Sequence, residues 1–155
     1  MEVNKIISHA LQSMPPSKRQ KAFAKDTSKL IHMGLNENNY GMSPKAVAAL
    51  EDSMAGSHFY PDFAAVLLKQ KVAEQYGLKA ENVLTGAGSS AMIDMIGLTF
   101  LDEGDEVLFS APTYGAFADM AYLNGGVPVS VPVTEEQKFN LPAMKEKIGE
   151  KTKIV

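Results

Sequence analysis

Residues 83–112 read VLTGAGSSAMIDMIGLTFLDEGDEVLFSAP, and their order decides the fold. An apolar run from Val83 to Thr85 meets a cluster of small residues at 86–90. An apolar helical pattern follows from Ala91 to Phe100, and the turn LDEGDE returns the chain to a second apolar run, VLFSAP. The alternation then continues with a helix over 117–123, a strand VPVSVPV at 127–133, a helix LPAMKEKIGEK at 141–151 and a closing KIV. Strands separated by helices pair in parallel through right-handed crossovers. The predicted class is therefore α/β, a mainly parallel sheet flanked by helices. Because the closing run at 153–155 reads as a strand with nothing after it, the domain is expected to continue beyond Val155.

Upstream of Val83 the texture differs. A helix is predicted from about Ala64 to Tyr76, with Gly77 at its C-terminal cap. A shorter one opens at Ser43-Pro44, with Ser as N-cap and Pro at the first helical position, and runs to about Met54. The stretch LIHMGLNENNYGMSP before it is rich in Asn and Gly, the composition of turns. Residues 1–29 carry a weak helical pattern around Ile6, Ile7 and Leu11, a Pro15-Pro16 break, and a basic run with Lys18, Arg19, Lys21 and Lys25. They are expected to form a mobile arm with a solvated charged face.

Bulk composition narrows the functions. The 155 residues are 45% hydrophobic, enough for the core of one ordinary domain. The formal charge of -3 leaves no cationic excess for a nucleic-acid backbone or an anionic membrane, so neither is expected as a partner. There is no cysteine, which removes disulfides and thiolate chemistry and suits a reducing compartment. No secretory h-region opens the chain and no 18-residue apolar run interrupts it, so a soluble, cytoplasmic protein is expected.

In a parallel α/β sheet, ligands bind beside the loops at the carboxyl ends of the strands. Two such loops are unusual here. In the first, Gly86 and Gly88 are expected to take positive φ, while Ser89 and Ser90 stand at a helix N-terminus. Unpaired amides, the helix dipole and two hydroxyls would then converge on a phosphate. A turn with a serine cap and no ligand reads equally well from this loop alone. In the second loop, SAPTYGAF, Tyr114 is placed to stack on a flat ring held by the first, or else to pack beneath its own helix.

GAGSSA also fits the dinucleotide pattern G-x-G-x-x-G/A, which requires an acidic residue at the end of the next strand for the ribose. That strand ends in Ser110, Ala111 and Pro112, and Asp102, Glu103, Asp105 and Glu106 all precede it. Those carboxylates read as a solvated turn. His9, His32 and His58 lack metal-ligand spacing, and no metal is expected. Met92, Ile93, Met95 and Ile96 read as core rather than as a binding stripe.

The segments NENNYG-SP (36–44), FYPD (59–62), TGAGSS (85–90) and GDEVLFSAPTYGAF (104–117) stand in an order and spacing that resemble the class I/II aminotransferases of fold type I, most closely their histidinol-phosphate aminotransferase-like branch. The resemblance runs from about Leu30 to Val155. It implies pyridoxal 5'-phosphate as cofactor, with Gly88, Ser89 and Ser90 holding its phosphate and Tyr114 stacked on its ring. It further implies that Tyr60 reaches the phosphate in the neighbouring subunit of a homodimer and that Asn36 and Glu37 lie beside the substrate. The implied layout is an arm or helix at 1–29, a lead-in segment and first helix of the small-domain and interface region at 30–62, and the first part of the cofactor-binding large α/β domain at 63–155.

The sequence departs from the family at Asn39, where Pro is frequent, at Phe59, where Arg commonly precedes the Tyr, and at Ser90-Ala91, where many members carry Asp-Glu. The family's cofactor-bearing lysine, the Asp paired with the pyridine nitrogen and the Arg that binds the substrate carboxylate would all follow Val155. None of the 14 lysines present follows a late strand in the family's manner. The resemblance implies amino-group transfer between an amino acid, or histidinol phosphate, and a 2-oxo acid, by a complete enzyme and not by these 155 residues alone. A decarboxylase or lyase on the same scaffold, and a noncatalytic binding module, are the alternatives.

Overall fold

A computed structural model describes residues 7–15, 31 and 33–155 of this chain. The basic run, Ile6 and His32 lie outside the described residues. In chain order the elements are α1 (His9–Ser13), α2 (Pro44–Ser53), α3 (Val66–Tyr76), α4 (Gly88–Phe100) and β1 (Glu106–Ala111). They continue with α5 (Ala116–Leu123), β2 (Val127–Pro132), α6 (Leu141–Lys147) and β3 (Thr152–Ile154). The chain divides into two compact units, Met1–Pro16 with Thr85–Val155, and Ser17–Leu84. No helix among the described residues is long and apolar enough to cross a membrane.

In the unit Ser17–Leu84, α2 starts at Pro44 after Ser43, as the Ser-Pro pair predicts, although the Ser43 side chain makes no capping bond. The start of α3 is set by a residue the sequence reading did not assign that role. The Asp62 carboxylate accepts the amides of Ala64 at 3.0 Å and Val66 at 2.7 Å, and Ala65 turns left-handed at φ 48, so the helix begins at Val66 and not at Ala64. At its other end Gly77 adopts φ 64 and its amide bonds the Ala73 carbonyl. No described residue lies within 4 Å of the position a Cβ would take there, so substitution is opposed chiefly by the backbone conformation. Gly77→Ala in the complete protein is expected to cost about 1–2 kcal/mol, read as a lower denaturant midpoint with unchanged slope. An unchanged midpoint would refute it.

The predicted strand Val83 to Thr85 is not one. Val83 is extended, at φ -111 and ψ 122, and buried, yet among the described residues this segment joins no sheet ladder. Extended backbone is a local preference, whereas a strand also needs a neighbour to receive its hydrogen bonds.

In the other unit three strands form a parallel sheet in the order β2-β1-β3. β1 pairs with β2 from Glu106↔Val127 to Ala111↔Pro132, and with β3 at Glu106↔Thr152 and Val107↔Ile154. Val107 and Leu108 are consecutive, so they point to opposite faces, and both are almost fully buried at 2% and 1% exposure. Both faces of the central strand are therefore covered at this level, as parallel pairing requires. Leu101, Met120 and Ala121 complete the core, with Ile93, Phe109 and Ile154 packed against it. Each large side chain buried here contributes roughly 1.5–3 kcal/mol. Helix α1 packs on α5, and α5 packs on α4 and on both β1 and β2. The result fixes the carboxyl end of β1 relative to the start of α4.

Candidate functional site

Helix α4 begins at Gly88, three residues before the predicted Ala91, so Gly88, Ser89 and Ser90 are its first turn rather than the loop before it. Gly88 has φ +77, a conformation that glycine adopts without steric cost, and its amide closes a tight turn onto the Gly86 carbonyl at 2.8 Å. Gly86 itself is not at positive φ, contrary to expectation. A Cβ on it would first meet the flexible end of the Met92 side chain, which can move aside. The preceding residue, Ala87, has no side chain able to cap, which leaves first-turn amides of a 13-residue helix directed outward. Among the described residues nothing lies within 4 Å of a Cβ placed on Gly88, which leaves space for a ligand at this turn.

The second loop leaves β1 through a cis peptide between Ala111 and Pro112 and reaches α5 at Ala116. Tyr114 lies in this loop with 44% of its surface exposed. Its ring meets Phe117 edge-on, with centroids 6.2 Å apart and planes at 87°. Its hydroxyl lies 2.9 Å from Ser90 Oγ, within hydrogen-bond length across 24 residues of sequence. Tyr114 therefore touches its own helix through Phe117 and reaches the first loop through its hydroxyl. Ser90 and Tyr114 are brought together, and Gly88 and Ser89 share Ser90's turn.

Tyr60, Asn36 and Glu37 belong to the other unit. Tyr60 is 88% exposed, with its ring 5.7 Å from that of Phe63. Asn36 takes φ 55, a left-handed conformation that Asn tolerates better than most residues, and Glu37 is exposed. Among the acidic turn residues, Asp105 accepts the Asp102 amide at 3.0 Å and closes the turn, a structural task. No cluster of three His, Asp or Glu among the described residues is arranged to hold a metal ion.

One feature was missed from the sequence. A cavity of about 430 Å³ is lined by Ile93, Ile96, Phe109, Phe139 and Met144, among other apolar groups. Ser110, only 4% exposed, donates its hydroxyl to the Met144 sulfur at 3.9 Å on this wall. Ile93 and Ile96, on the α4 face that reads as core from sequence, line this open cavity in part.

The family model for aminotransferase class I and II matches residues 28–155. The chain is 32% identical over 120 residues to histidinol-phosphate aminotransferase 2 of Carboxydothermus hydrogenoformans, a match covering 77% of this chain and 33% of that protein. Among solved structures, histidinol-phosphate aminotransferase from Sinorhizobium meliloti, in complex with pyridoxal-5'-phosphate, superposes with a TM-score of 0.79 at 23% identity. That match covers 94% of this chain and 40% of that one, and shows the fold. LysN, the α-aminoadipate aminotransferase of Thermus thermophilus complexed with N-(5'-phosphopyridoxyl)-L-leucine, superposes with a TM-score of 0.72 at 26% identity, over 94% of this chain and 38% of that one. The chain spans about a third of the length of the curated relatives it matches.

Proposed function

This chain belongs to the class I and II aminotransferases, and from that premise we propose that it is the N-terminal, cofactor-holding part of a pyridoxal 5'-phosphate-dependent aminotransferase. The observation that carries the reading is the contact between Ser90 and Tyr114, which joins an anion-binding helix terminus to a half-exposed aromatic ring. Pyridoxal phosphate is a flat ring bearing a phosphate ester, and the residues present fit both ends. Gly88 opens the turn, while Ser89 and Ser90 offer hydroxyl donors beside the outward amides of α4, whose dipole favours negative charge. Tyr114 presents a ring face, and an offset stack contributes roughly 0.5–1.5 kcal/mol beyond its area, enough to orient a ring that the phosphate anchors.

When bound, the cofactor supplies an electron sink for the electron pair released at the substrate Cα. The part of the enzyme seen here orients and anchors. Proton transfer is assigned to a lysine after Val155. Asn36 and Glu37 are assigned to the substrate, and the Tyr60 hydroxyl to the phosphate of the neighbouring subunit in a symmetric homodimer. Residues 1–29 as an arm, 30–62 as the lead-in and interface region and 63–155 as the start of the large domain are part of the same proposal. So is a cytoplasmic location.

The activity test supplies the complete protein and pyridoxal phosphate with histidinol phosphate or L-amino acids as donors and a 2-oxo acid as acceptor. Amino-group transfer is expected; carbon dioxide release without transfer would assign a decarboxylase instead. In sedimentation velocity the active species is expected to be a dimer that shares its sites through Tyr60. A fully active monomer would rule out the role given to Tyr60.

A further inference from the structure

We propose that Ser90 is a link between the ring and the phosphate rather than an independent phosphate donor: its hydroxyl accepts the Tyr114 proton and points its own proton at the anion. The proposal rests on the cofactor reading above and extends it to the way the two halves of the site act on each other.

Ser90 and Tyr114 each carry one hydroxyl proton, and at 2.9 Å either oxygen could be the donor. A phosphate dianion has no proton to give, so any hydroxyl that bonds it must donate. Once Ser90 donates to the anion it has only lone pairs left for Tyr114. Tyr114 must then be the donor in the second bond. Anion binding therefore selects one of two proton arrangements, and the resulting chain, phenol to serine to anion, polarises in a single direction.

The surroundings make this link consequential. Both groups are exposed, so the bond by itself contributes little to stability and its effect falls on ligand binding. The edge-on Phe117 contact and the bond of its own hydroxyl restrain the Tyr114 ring in different places. Removing the hydroxyl alone keeps the ring face but releases one restraint and leaves the Ser90 proton unordered. Ser89, on the same turn, is not the partner of Tyr114 in this bond, which supplies an internal comparison.

The test uses the complete protein without cofactor and, as probe, pyridoxamine 5'-phosphate, which has no carbonyl and cannot bond covalently to lysine. Affinity is measured by fluorescence titration and ring orientation by induced circular dichroism, for Ser90→Ala, Tyr114→Phe and the double variant. Ser90→Ala, which removes a hydrogen bond to a charged group, is expected to weaken binding by about ten- to a hundredfold, and Tyr114→Phe, which removes a neutral one, by about three- to tenfold. The double variant should bind no more than about twofold more weakly than Ser90→Ala, because the link is already broken. Ser90→Thr should retain the Tyr114 effect, and in Ser89→Ala the Tyr114→Phe change should keep its full factor. The induced dichroism should fall in Tyr114→Phe. If the two factors multiply in the double variant, or Tyr114→Phe binds as wild type, the link is overturned while the phosphate site stands. If Ser89→Ala and Ser90→Ala both bind the probe as tightly as wild type, with no change relative to unphosphorylated pyridoxamine, the phosphate reading itself fails.

Discussion

Borohydride reduction of the 155-residue chain mixed with pyridoxal phosphate is expected to mark several lysines weakly and none dominantly, and the mixture is expected to transfer no amino group. A lysine that attacks a carbonyl near neutral pH must be kept unprotonated, by an apolar pocket or a neighbouring cation. None of the described lysines is buried, and Lys71 is paired with Glu74 at 2.8 Å. The phosphate turn and Tyr114 can orient the cofactor but supply no amine beneath it. The complete protein should instead yield one dominant modified lysine on peptide mapping, outside residues 1–155, together with turnover. This expectation does not depend on the substrate. One dominant site within these residues, coupled to turnover, would overturn the assignment of the catalytic base to later sequence.

The double variant Ser89→Ala/Ser90→Ala of the complete protein should lose its cofactor much faster on dialysis. Hydrogen bonds to a charged group contribute about 1.5–3 kcal/mol each, so removing two weakens retention by about a hundredfold or more. Retention should not vanish, because the first-turn amides of α4 and its dipole do not depend on side chains. Both serines are exposed, so the substitutions leave no buried polar group unsatisfied, and thermal unfolding of the cofactor-free form should be nearly unchanged. Equal rates of cofactor loss from variant and wild type would show that the phosphate is held elsewhere.

The elements from α4 to β3 were legible because their signals are local. The apolar period there, and upstream the Ser43-Pro44 pair of α2 and the glycine at 77 after α3, each act within a few residues, and the helices and strands they predict are present, although α6 ends at Lys147 and not at the predicted Lys151. Where the reading missed, the deciding partner was not part of the local pattern considered. The Asp62 carboxylate, inside a segment noted for Tyr60, sets the start of α3 by taking two amides. Gly86 is not left-handed, and a Cβ there would meet first the movable end of Met92. Val83 to Thr85 has strand composition but joins no ladder among the described residues, since pairing is a property of two segments.

For the site the division is sharper. Sequence alone determined that small residues and two hydroxyls stand at the start of an apolar helix, and that a tyrosine follows the next strand, because both depend only on chain order and local periodicity. It could not determine that Ser90 and Tyr114 touch. That contact depends on how far α4 runs back, on the packing of α5 against α4 and β1, and on the path of the loop from Pro112 to Gly115. A displacement of about 1 Å in any of these would exceed the tolerance of a hydrogen bond, whose length spans only about 2.5–3.2 Å. Tertiary packing, which holds both loops against one core, therefore decided the geometry of the ring and phosphate site.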